Sequence, residues 1–75
     1  MISDQTLREI DFVMFVLYRV AEHLDMPVAH VYKLLDSVDI VDGYLIPCYN
    51  VLHTLGAEYL VEDVCGLACE RGLQL

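Results

Sequence analysis

An all-α, compact bundle of four helices is the fold this sequence predicts, and two features predict it. Apolar residues recur at three- and four-residue spacing over long stretches, the period of a helix with one buried side. Between those stretches stand helix-breaking clusters at Asp25-Met26-Pro27, Asp42-Gly43, Gly56 and Gly72. The expected helices cover about 4–24, 27–37, 44–54 and 57–71 of a single domain, residues 1–75, with no repeat, linker or low-complexity segment.

Ser3 or Asp4 can cap the first helix. At about 100° per residue, Leu7, Ile10, Val13, Met14, Leu17, Val20, Ala21 and Leu24 share one broad face, which is the expected buried face. Arg8, Asp11, Arg19 and Glu22 occupy the opposite face, with Phe15 among them and Phe12 on its flank. A phenylalanine among charges has two readings. Either the first helix is central and covered on both sides, or Phe12 and Phe15 anchor a partner or a second copy, with Tyr18 nearby. Both readings make this helix the spine of the fold.

Asp25 is a plausible cap for the second helix, and Pro27 is tolerated in its first turn. Val28, Val31, Tyr32, Leu34, Leu35 and Val38 are expected inward, and His30, Lys33 and Asp36 outward. Residues 36–43 read as a loop or single turn, since the runs beside Asp42-Gly43 are too short to build a sheet alone. Asp36, Asp39 and Asp42 lack the spacing of a calcium loop and its closing glutamate. The third helix takes Pro47 in its first turn and turns Tyr44, Leu45, Cys48, Val51 and Leu52 inward. The fourth buries Leu60, Val61, Val64, Leu67 and Ala68 and wets Glu58, Glu62, Asp63 and Glu70. Its early acids and its terminal Arg71 suit the two ends of the helix dipole, and Gly72 is a good stop.

Composition narrows the partners. A 75-residue chain that is 57% hydrophobic cannot hide that much apolar surface inside itself, so a second copy or another protein is expected to cover the excess. Twelve acids against four bases give a net charge of −8, which repels phosphate backbones and anionic bilayers and favours a basic protein partner. The longest apolar run, Phe12 to Tyr18, is seven residues, far short of a membrane span and too deep in the chain for a signal peptide. Three cysteines cannot pair off completely, which points to a cytoplasmic protein with free thiols.

No residue pattern announces a reaction. Cys65 and Cys69, with His53 and Cys48 before them, do not make the convergent set of four that zinc requires, so no metal or cofactor is expected. Cys48 and His53, five apart, point in different directions on one helix, and acidic surroundings would raise a thiol pKa rather than activate it. His53 and Thr54 read instead as a structural junction, the histidine bonding terminal carbonyls and the threonine capping the next turn, with Tyr49 and Tyr59 beside it. A small enzyme or ligand binder centred on His53, with Tyr49, Tyr59 or a cysteine, is the alternative class. A structural homo-oligomer without a foreign partner is a third.

The residues Tyr32-Lys33-Leu34-Leu35, the run Tyr49-Asn50-Val51-Leu52-His53-Thr54, Gly56, Glu58 through Val64, and Glu70-Arg71-Gly72 resemble a family of small uncharacterised bacterial proteins classed as a domain of unknown function. The resemblance spans nearly the whole chain and centres on Tyr49, His53, Thr54, Gly56 and Tyr59. Where the family usually carries a charged tail on its fourth helix, this chain has Cys65-Gly66-Leu67-Ala68-Cys69. Members are often encoded beside a second family resembling ADP-ribosyltransferases, which implies a partner protein and an antitoxin-like role. The expected function is thus a non-catalytic protein-interaction module, with Phe12, Phe15, Glu58, Glu62 and Asp63 as the partner-binding residues.

Overall fold

Ser3 sets where α1 (Asp4–Leu24) begins: its Oγ accepts the Thr6 amide at 3.1 Å, satisfying a donor that a helix start leaves free. After α1 come α2 (Val28–Ser37), a π turn (Val41–Leu45), the single-turn α3 (Tyr49–Leu52) and α4 (Ala57–Glu70). The computed structural model describes residues 2–75, and every regular element among them is helical. The fold is an all-α bundle with overall dimensions of 36 × 23 × 20 Å.

Three of the helices end by one device. α1 closes at Asp25, whose left-handed backbone (φ 54°) lets the Met26 amide reach the Ala21 carbonyl at 3.0 Å. α2 closes at Asp39 (φ 58°), with the Ile40 amide on the Leu35 carbonyl at 3.0 Å. α4 closes at Gly72 (φ 102°), with the Leu73 amide on the Ala68 carbonyl at 3.0 Å. Each is a Schellman turn, a left-handed residue followed by an apolar one that folds back on the helix just finished. Asp25 therefore ends α1 and does not cap α2. Pro27 holds that cap position in an extended backbone (ψ 143°), where a missing N–H leaves nothing unsatisfied.

The expected third helix over 44–54 is not continuous. Helical structure starts earlier, at Val41, as a π turn in which the Leu45 amide bonds the Ile40 carbonyl at 2.8 Å and the Ile46 amide bonds Val41 at 3.1 Å. Pro47 has no N–H to donate, and its ring would crowd the carbonyl four residues back. The chain turns through residues 46–48 before α3 resumes. The wider turn seats Ile40, Val41 and Leu45 in the core, whereas Val51, expected inward, is 67% exposed.

α1 packs on both α2 and α4. Its buried residues are Phe12, Val13, Val16, Leu17, Val20 and Ala21, which meet Val31 and Leu35 of α2, Leu52, and Leu60, Val61, Val64 and Ala68 of α4 in one cluster. This face is rotated from the expected one. Leu7, Ile10 and Met14 are exposed, while Phe12 and Val16 are buried. The uninterrupted apolar run from Phe12 to Tyr18 supplies hydrophobic residues on nearly every side of the helix, so the neighbours that dock on it choose the face. Tyr32 of α2, also expected inward, is exposed as well.

Arg71 departs from its expected role at the end of its own helix. Its Nη1 donates across the fold to the carbonyls of Val38 at 2.7 Å and Asp39 at 3.1 Å, tying the end of α4 to the end of α2. Charge-assisted bonds of this kind satisfy carbonyls that the end of α2 leaves free.

A left-handed backbone costs an L-residue about 1–2 kcal/mol and costs glycine nearly nothing. Urea denaturation of paired variants is expected to rank Asp25→Gly above Asp25→Ala in stability by about 1 kcal/mol. Equal stabilities would show that the Asp25 turn is not strained.

Candidate functional site

The Tyr49–Tyr59 motif proves to be a joint between helices. Tyr49 stands edge-on to Phe12 of α1, with ring centroids 5.5 Å apart and planes at 78°. His53 stacks on the other side of Tyr49 at 4.5 Å and 11°, and its Nδ1–H donates to the Tyr49 carbonyl at 2.7 Å. Thr54 Oγ1 donates to the Val51 carbonyl at 2.8 Å. Both side chains thus bond carbonyls at the end of α3, as expected for His53, adding to the backbone bonds that the His53 and Thr54 amides make to the same two carbonyls. Thr54 closes the preceding turn, and Gly56, with no side-chain bond, holds the cap position of α4. Tyr59 points to solvent, with 57% of its surface exposed.

Phe12 belongs to this joint. It is only 8% exposed, so its ring is core and is withdrawn from any partner surface. Phe15, by contrast, is 45% exposed. Asp63 is half-buried, and its Oδ2 accepts a short hydrogen bond from the Tyr44 hydroxyl, so this acid holds α4 to the π turn. That pairing, together with burial, pushes the Tyr44 phenol up to about 12. Sequence reading missed the pair because nineteen residues separate its members, and a tyrosine–carboxylate bond leaves no periodic signal.

Glu58 and Glu62 remain exposed, as expected. With Glu22, Arg19 and His23 of α1 they line an open groove of about 450 Å³ floored by Ala57 and Val61. A shallower groove of about 470 Å³ lies at the α1–α2 corner, and one of about 270 Å³ beside Tyr44 and Asp63; His53 lines none of the three. Burial raises the Cys65 thiol above its ordinary range, with a smaller contribution from Cys69, which disfavours the nucleophilic thiolate. Among the described residues no three or more His, Cys, Asp or Glu side chains are grouped to hold a metal ion, and no helix is long and apolar enough to cross a membrane.

The surface that sequence reading assigned to the core is the largest surprise. Among the described residues none before Phe12 is buried. Leu7 and Ile10 in that stretch, and Met14 and Tyr18 further along α1, are all exposed, spaced three, four and four apart. At about 100° per residue they fall within about a quarter of the helix circumference. Asp4 and Asp11 border this stripe. The signal was present in the sequence as a helix with more apolar residues than one face can hold.

The raised Tyr44 pKa has a defined consequence for stability. A phenol whose folded pKa lies above its unfolded value near 10 favours the fold in its protonated form. Its contribution is complete below about pH 10 and is lost as pH rises through about 12. Ultraviolet titration of the phenolate is expected to show Asp63→Asn returning Tyr44 towards its ordinary range. An unchanged titration would mean that Asp63 does not hold the proton on Tyr44.

No curated protein and no solved structure matches the chain. A family model described as "Protein of unknown function (DUF3791)" matches residues 11–67, a span that takes in the core of α1, all of α2, the π turn, the Tyr49–Tyr59 joint and most of α4. With more than half its length matched, the chain belongs to the DUF3791 family.

Proposed function

We propose that the protein is a non-catalytic interaction module that docks a basic protein along the exposed stripe of α1. The observation that carries this reading is the exposure of Leu7, Ile10, Met14 and Tyr18 as one stripe along the outer side of α1. Burying a leucine, isoleucine or methionine stabilises a complex by about 1.5–3 kcal/mol each, against about 0–1 for an exposed ion pair. The apolar stripe therefore sets affinity, and the acids select the partner. Asp4 and Asp11 beside the stripe, Glu58 and Glu62 at the α1–α4 groove, and a net charge of −8 all favour a cationic surface.

The sequence resemblance to proteins encoded beside ADP-ribosyltransferase-like neighbours supports such a neighbour as the partner and an antitoxin-like role for this chain. Three free thiols fit the cytoplasm as the place where the two meet.

Titrating the purified chain with the ADP-ribosyltransferase-like protein encoded beside it, by calorimetry, tests this reading. A complex whose affinity falls with salt is expected. Met14→Glu is expected to weaken it by about tenfold or more, and Glu58→Lys with Glu62→Lys to weaken it less and to reduce its salt dependence. Absence of binding at high micromolar concentration would sink the proposed partner, and insensitivity to Met14→Glu would sink the proposed surface.

A further inference from the structure

We propose that the adjoining flank of α1 is a self-association surface: two copies pair through antiparallel α1 helices with Phe15 on the two-fold axis. Phe15 is 45% exposed, and Arg8, Asp11, Arg19 and Glu22 around it are exposed as well. Their order along the chain carries the inference. Asp11 and Arg19 stand four residues either side of Phe15, and Arg8 and Glu22 stand seven either side. With a helical rise of about 1.5 Å per residue, each member of a set lies at the same height from Phe15 as its counterpart. A two-fold axis through Phe15 turns one helix end for end, so Asp11 meets Arg19 of the second copy and Arg8 meets its Glu22. Each pairing recurs by symmetry, as an isologous contact requires. Every charge meets its opposite, and the two phenylalanine rings meet at the centre.

Asp11, Phe15 and Arg19 form one row at four-residue spacing along the exposed side of α1. Charge distribution also singles out this flank. The chain has four basic residues, Arg8, Arg19, Lys33 and Arg71; two of them lie here, and Arg71 is engaged with the end of α2. Elsewhere an acidic surface repels a second acidic copy. The Leu7–Tyr18 stripe is a poor place for self-pairing, because Asp4 and Asp11 border it and would face acids again. Exposed ion pairs contribute little each, so the phenylalanines supply most of the affinity and the charges fix direction and register.

Sedimentation equilibrium of the purified chain alone, over a micromolar concentration series, tests this independently of any foreign partner. A reversible monomer–dimer equilibrium is expected. Phe15→Glu is expected to weaken it by about tenfold or more, and Phe15→Ser to weaken it less. Asp11→Arg alone and Arg19→Asp alone should each weaken dimerisation, whereas the two combined in one chain should restore it to within about threefold of the original. Circular dichroism confirms that each variant is folded. A chain that is monomeric throughout overturns the proposal. So does a dimer indifferent to Phe15→Glu, or a charge reversal that gives no rescue. Because the foreign complex is read by Met14→Glu and the self-complex by Phe15 and the charge reversal, either can fail while the other stands.

Discussion

The bundle depends on α1 being gripped from two sides. Val16 and Val20 are almost wholly removed from water, and the larger contacts of α2 and α4 are each with α1. Once α1 is in place, α2 and α4 become neighbours by sharing a support, and Arg71 joins their far ends. A short chain with so few elements has no second core to fall back on. Interior positions of α1 therefore stabilise the whole fold and not one corner of it, and large-to-small changes there would leave cavities that little neighbouring structure can collapse to fill.

The same grip explains why the helices end so abruptly. A helix that must pack back on its predecessor needs the chain to reverse within a few residues, and a left-handed residue at the helix end does this in the least length. Asp25 and Asp39 accept a backbone that glycine would take more easily, and Gly72 takes it without strain. The apolar residue after each turn is drawn inward: Ile40 is fully buried, and Met26 and Leu73 pack against the core. Reversal and core packing are thus one event at each helix end.

Features set within a turn or two of chain were legible in the sequence, and most of those set by the docking of distant elements were not. The extents of α1, α2 and α4 follow from hydrophobic spacing bounded by Ser3, Pro27, Gly56 and Gly72, because periodicity and breakers act locally. His53 bonding the carbonyls of its own turn was legible for the same reason: both partners lie within one helical turn. The buried face of α1 was not, since Phe12 to Tyr18 offers apolar side chains in all directions and only the docked helices decide among them. The π turn escaped because it is one turn long, too short for its five-residue spacing to repeat as a period. Tyr44 with Asp63, and Arg71 with Val38 and Asp39, join elements far apart in sequence and exist only once the fold has formed.

The two flanks of α1 bear on each other through Asp11 and through the α1–α4 groove, where Arg19 and Glu22 of the self-pairing row stand beside Glu58 and Glu62. Asp11 borders the Leu7–Tyr18 stripe and also belongs to the row through Phe15. Self-pairing would place Arg19 of the second copy over Asp11 and neutralise one of the acids that make the stripe attractive to a cation. A basic partner on the stripe would in turn draw Asp11 away from that arginine. The apolar contacts of the two complexes use different residues, Met14 in one and Phe15 in the other. Any coupling between them is then electrostatic and modest, of the order of an exposed ion pair at about 0–1 kcal/mol, and it weakens as salt rises. If both associations occur, the shared charge sets the sign: each would lower the affinity of the other, and a dimer would take up a basic partner less tightly than the monomer.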